Sequence, residues 1–173
     1  METQSAGKAC DGCDLCCRLY EIDELAKPAH SVCVHARPEG GGCGIHGVHP
    51  KPCQTFECMW LTQADLNALW RPSVAGFVLR TEGTCLYVDV DPGRRGAWRR
   101  EPYYAQIKAW SEAIRDGRGM VTVEDHGIFV IFPERDVFLG RLTPGAMIEA
   151  GYRRTSAGAR PWARLLRTDT AAA

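Results

Sequence analysis

The chain has 173 residues, enough for an ordinary domain that buries an apolar core without covalent staples. Lys plus Arg and Asp plus Glu both number 21, so no global field favours a nucleic acid or an anionic membrane surface. No apolar run approaches the roughly 20 residues that span a bilayer, and "METQSAGKAC", with an acidic residue at position 2 and no apolar stretch, is not expected to act as a secretory signal. A cytoplasmic location without membrane attachment is expected.

Cysteine use divides the chain. Eight of the nine cysteines fall between Cys10 and Cys58, and only Cys85 follows. An odd number does not suit a fully disulfide-bonded monomer, and a reducing compartment disfavours structural disulfides. Residues 8–60 show little apolar periodicity, four prolines (Pro28, Pro38, Pro50, Pro52) and the run "EGGGCG". Such a segment has little hydrocarbon to bury, so bound metal is expected to order it.

Residues 61–152 read as the α+β part of the same domain. Thr62 is placed to cap a short helix over "QADLNALW", stopped by Arg71-Pro72. "GFVLR" and "TCLYVDV" predict two strands joined around Glu82-Gly83, followed by a "DPG" turn. "EPYYAQIKAWSEAIRDG" predicts the one long helix, with Pro102 in its first turn and Gly117 at its end. Its stripe Tyr103, Ile107, Trp110 and Ile114 is expected to face the core. "MVTVE", "GIFVIF" and "DVFLG" predict three more strands, the first two joined around Asp125-His126-Gly127. Thr143-Pro144 should begin a last short helix. Residues 153–173, Arg- and Ala-rich and carrying five basic and one acidic side chain from residue 151 on, read as a largely disordered tail. On a ragged end those arginines read as solubilising, so nucleic acid is not expected as a partner. The fold class is therefore α+β: a Cys-rich segment of loops and short helices packed on a small, mostly antiparallel sheet with one long helix.

The candidate site residues are Cys10, Cys13, Cys16, Cys17, Cys33, Cys43, Cys53 and Cys58. Cys-x2-Cys turns aim two thiolates at one ion, and a third cysteine at the same spacing extends the arc as in iron–sulfur proteins. Eight thiolates could equally close two tetrahedral zinc sites. Iron–sulfur is slightly favoured, because three cysteines at this spacing exceed what a zinc knuckle needs. Adjacent side chains diverge, so Cys16 and Cys17 are not expected to face one small ion together. His46 is the best histidine candidate, three residues after Cys43. His35 and His49 read as surface or supporting groups beside so many thiols. Arg18, Arg37 and Lys51 are placed either to offset thiolate charge or to be solvated. Cys85, in an apolar strand, is expected in the core. Asp89, Asp91, Glu124, Asp125 and Glu134 occupy expected strand ends or turns, where acidic residues need no catalytic explanation.

"CDGCDLCC", the intermediate Cys33 and "GGCGIHGVHPKPCQTFEC" followed by "MWL" resemble the CxxCxxCC (YkgJ-like) cysteine-cluster family. Cys43, Ile45 and His46 stand where that family usually has Cys, Ile and Tyr, and Lys51-Pro52 replaces its Arg-Pro ahead of Cys53. The resemblance covers about residues 10–60. It implies a zinc- or iron-chelating protein, without implying a shared reaction. Two function classes follow: a metal-binding accessory or redox protein with a possible protein partner, and an enzyme acting at the cysteine-bound metal. A purely structural two-zinc module is the third possibility.

Overall fold

The computed structural model describes residues 7–10, 12–38, 41–115, 119–143 and 145–167. The fold is α+β, as expected. Its helices are α1 (Leu15–Leu19), α2 (Lys51–Thr55), α3 (Met59–Thr62), α4 (Pro72–Ala75) and α5 (Tyr103–Ala113). Its strands are β1 (Phe77–Glu82), β2 (Cys85–Val90), β3 (Val121–Glu124), β4 (Ile128–Ile131), β5 (Asp136–Gly140), β6 (Ala146–Thr155) and β7 (Gly158–Arg167). Five strands hydrogen-bond side by side in the order β1–β2–β3–β4–β5, and β6 and β7 form a separate two-stranded sheet. No helix among the described residues is long and apolar enough to cross a membrane.

The chain divides into two compact units, and the division does not fall at residue 60. One unit comprises the residues up to Thr81 together with Val88–Trp98; the other comprises Glu82–Tyr87 and the residues from Arg99 onward.

In the first unit, the Cys-rich segment shares a core with β1 and the end of β2. Leu15 and Leu19 of α1 are buried, as are Trp60, Trp70, Phe77, Val78, Leu79, Val88 and Trp98. The expected helix over residues 63–70 is absent. Thr62 closes α3, and a 3-10 turn over Ala68–Trp70 follows, capped by Asn67, whose side chain accepts from the Leu69 amide. Asn67 competes for the backbone locally and so starts a new turn where the sequence suggested continuity. The "DPG" turn forms as expected, Asp91 accepting from the Gly93 amide at 2.9 Å.

In the second unit, β3, β4 and β5 are antiparallel, with a register shift between Ile128 and Phe129. Helix α5 covers this region. Ile107 is fully buried and Tyr103 nearly so, whereas Trp110 and Ile114 at the far end of the stripe are only partly covered. Gly117 lies outside the described residues. Asp136 accepts from Arg99 at 2.9 Å and Tyr104 at 3.1 Å and pairs with Lys108 at 2.7 Å.

Two expectations for the C-terminal part are overturned. Residues 146–155 form strand, not a helix started by Thr143; Pro144 itself lies outside the described residues. Residues 153–167, expected to be disordered, belong to a ten-pair antiparallel hairpin with β6, whereas 168–173 lie outside the described residues. The hairpin turns over Ser156 and Ala157 into Gly158, which has a φ of 109°, and is anchored where Tyr152 packs edge-on against Phe132 and donates to Glu134.

Candidate metal centre

All eight expected cysteines line one cavity of about 400 Å³ in the first unit, although 48 positions separate Cys10 from Cys58. Local backbone chemistry delivers each of them. The Cys13 amide donates to the Cys10 carbonyl at 2.9 Å, closing a turn in which Gly12 takes a left-handed φ of 67°. Gly42, also left-handed, packs on this turn so closely that a Cβ would sit 3.1 Å from the Gly12 nitrogen. That contact sets the neighbouring Cys43 beside Cys10 and Cys13. Cys43 also bridges Ala36, and the Cys33 amide donates to the Cys17 carbonyl at 3.0 Å, tying the middle cysteines to α1. Pro52 helps start α2 to carry Cys53, and Cys58 caps α3.

Cys16 and Cys17 depart from the expected divergence. Both line the cavity, and their thiols hydrogen-bond to one another. The hydrogen bond raises Cys16 and brings Cys17 down to about 7. Burial pushes Cys10 up to about 11 and raises Cys53 and Cys58 as well. Cys10, Cys16, Cys53 and Cys58 are therefore neutral near neutral pH, and Cys17 ionises more readily than these four.

Among the described residues, no group of three or more His, Cys, Asp or Glu side chains forms a ready-made ligand shell. The donor chemistry nevertheless fits a thiolate-bound metal: eight thiols and three imidazoles on the wall of one cavity. His46, the histidine favoured by sequence, stacks on His49 with ring centroids 5.0 Å apart. The unsatisfied atom belongs to His49, whose Nδ1 is buried without a hydrogen-bond partner. His35 also reaches the wall.

The cations are not those singled out from sequence. Arg18 pairs with Asp14 at 2.7 Å, while Arg37 and Lys51 are exposed, and none of the three lines the cavity. Arg80 lines it instead, and buried Lys27, donating to the carbonyls of Tyr20 and Pro28, helps to lower Cys17. Sequence reasoning also missed Tyr20 and Asp89. Asp89 is 7 % exposed and accepts from the Tyr20 hydroxyl at 2.6 Å and from Arg80 Nε at 2.7 Å. This three-residue link joins the Cys-rich segment to β1 and β2 and braces the cavity wall. The alternation of "TCLYVDV" points Asp89 away from Val88 and Val90, so only the long-range partner Tyr20 could have revealed its burial. Cys85 does not line the cavity; it is partly buried at the start of β2 and not deep in the core as expected.

Comparison of the chain with family models, with curated proteins and with solved structures finds no match.

Proposed function

We propose that this cavity is a metal centre, in which the cysteines hold an iron–sulfur cluster or zinc and the chain acts as an accessory or redox protein. The observation that carries this reading is that all eight cysteines of the N-terminal third line one cavity, which the ninth does not. Chance placement or disulfide use gives no reason for that gathering. The resemblance of "CDGCDLCC" to the CxxCxxCC family points the same way. A bound cluster would supply one-electron transfer; zinc would supply cross-linking or Lewis acidity. The residues of the chain do the rest: the thiols give up protons to bind, His49 offers an unsatisfied nitrogen, and Lys27 balances thiolate charge at Cys17. Anaerobic purification followed by iron, zinc and sulfide analysis tests the reading. Visible absorption that bleaches with dithionite supports a cluster, and colourless protein with about two zinc ions per chain supports zinc. Failure to retain either metal after loading overturns both.

The cavity volume supports a second reading, an enzyme acting at the metal. About 400 Å³ lies within the range of small-molecule sites, and Tyr20, Glu21 and Arg80 line it beside the thiols and imidazoles. Cobalt substituted for zinc separates the two. Added azide changes its visible spectrum at an open coordination position and leaves a closed four-thiolate shell unchanged.

A further inference from the structure

The hairpin β6–β7 carries a charge pattern that folding does not explain. From Ala150 to Arg167 the chain holds five arginines and no acidic residue. Residues 153–160 are all exposed, so the distal end stands in solvent while Tyr152 and Pro161 pack inward. The register sets Arg153 directly opposite Arg160, with Gly151 opposite Trp162 and Glu149 opposite Arg164 on the same face. Like charges facing each other across a pair are destabilising. At the base Glu149 neutralises Arg164 at 2.6 Å, but among the described residues no ion pair holds Arg153, Arg154 or Arg160. The Arg153 guanidinium lies over the Trp162 ring, 4.6 Å from its centroid, which fixes its direction.

We infer that this ribbon is an arm that binds double-stranded DNA through its phosphates. Three arginines on a two-stranded tip complement a polyanion, and guanidinium groups match phosphate geometry. Strands about 4.8 Å apart, with their side chains, suit the roughly 12 Å major groove of B-form DNA. The expectation against nucleic acid rested on a ragged tail; an ordered ribbon removes that premise. The inference is independent of the cysteine cavity.

Fluorescence anisotropy of the full chain with a labelled duplex two helical turns long tests it. Three neutralised phosphates give a log–log salt slope of about −2.7, a loss of about 40-fold in affinity between about 50 and 200 mM salt. Changing Arg153, Arg154 and Arg160 together to Ala should remove nearly all of that slope. A control with the same loss of charge, Arg95→Ala, Arg135→Ala and Arg141→Ala, should retain it. Arg154→Gln alone should reduce the slope by about 0.9, which keeps the test open if the triple variant does not fold. No binding at low salt overturns the inference, as does equal binding by the arm variant and wild type. So does tighter binding to anionic vesicles or polyglutamate than to the duplex. Equal competition by double-stranded RNA, whose major groove shuts out a ribbon, overturns the groove placement.

Discussion

The link Tyr20–Asp89–Arg80 allows a quantitative test of how the Cys-rich segment is held. Tyr20→Phe keeps the ring, which packs on Phe56 with centroids 4.8 Å apart, and removes only the hydroxyl. The lost interaction is a 2.6 Å hydrogen bond to a carboxylate whose side chain is 10 % exposed. Hydrogen bonds to charged groups contribute about 1.5–3 kcal/mol, and Arg80 still satisfies Asp89 in the variant, so about 1.5 kcal/mol is expected. Asp89→Ala orphans two donors. The usual cost of breaking a buried pair is about 3–5 kcal/mol, but the Arg80 side chain is 29 % exposed and regains water, which brings the expectation to about 3 kcal/mol. At about 2–4 °C per kcal/mol for a chain of this size, the melting temperature should fall by about 3–6 °C and 6–12 °C respectively. Once Asp89 is Ala, adding Tyr20→Phe should cost almost nothing more, a coupling of about 1.5 kcal/mol. Circular dichroism melts and limited proteolysis of the Cys-rich segment read both quantities. Additive losses, or wild-type melting of Asp89→Ala, would show that the link does not brace this unit.

Further tests follow from other sites. Gly119→Ala would place a Cβ 2.1 Å from the Thr84 carbonyl oxygen, backbone against backbone, and should cost about 3 kcal/mol or more; Gly96→Ala, with φ of 74° and open space, should cost about 1 kcal/mol by denaturant titration. Asp136→Ala removes the carboxylate shared by Arg99, Lys108 and Tyr104 and should cost about 2–3 kcal/mol; a melt matching wild type would refute the network's role. Burial and then Glu134 raise Tyr152 to about 12, so its proton is held in the fold after an unfolded tyrosine has lost it. The stability it contributes is complete below pH about 10 and is lost as pH climbs from about 10 to 12, so Tyr152→Phe should melt with a shallower decline over that window. In metal-free chain, iodoacetamide at neutral pH should modify Cys17 before Cys10 or Cys58; peptide mapping that finds Cys10 first would contradict the arrangement of the Cys16–Cys17 pair.

The elements that could be read from sequence are those whose signals are local. Strand alternation and turns at Gly83 and at Asp125–Gly127 mark β1 to β4, and 3.6 spacing with Pro102 marks α5. Spacing alone also brought the eight cysteines together on paper. The β6–β7 hairpin was hidden because arginine, alanine and glycine are weak strand formers and Pro161 argues against a strand. Its order comes from the cross-strand pairs Tyr152–Pro161 and Gly151–Trp162, which exist only once the strands meet. The cavity's polar groups were hidden for a similar reason. Asp89 meets Tyr20 across 69 positions, and buried Lys27 looks in sequence like any surface lysine. His46 stood out by spacing, whereas the unsatisfied nitrogen of His49 depends on packing.

The burial that raises Cys10, Cys53 and Cys58 bears on the chemistry of the metal-free chain. Oxidants attack the thiolate, so a protonated, enclosed sulfur is slow to be damaged. Cys10, Cys16, Cys53 and Cys58 are thus held in a quiescent form, and Cys17 is attacked more readily than these four. Under the proposed function, loading a metal expels protons from these thiols, so acid opposes it and a rise in pH promotes it.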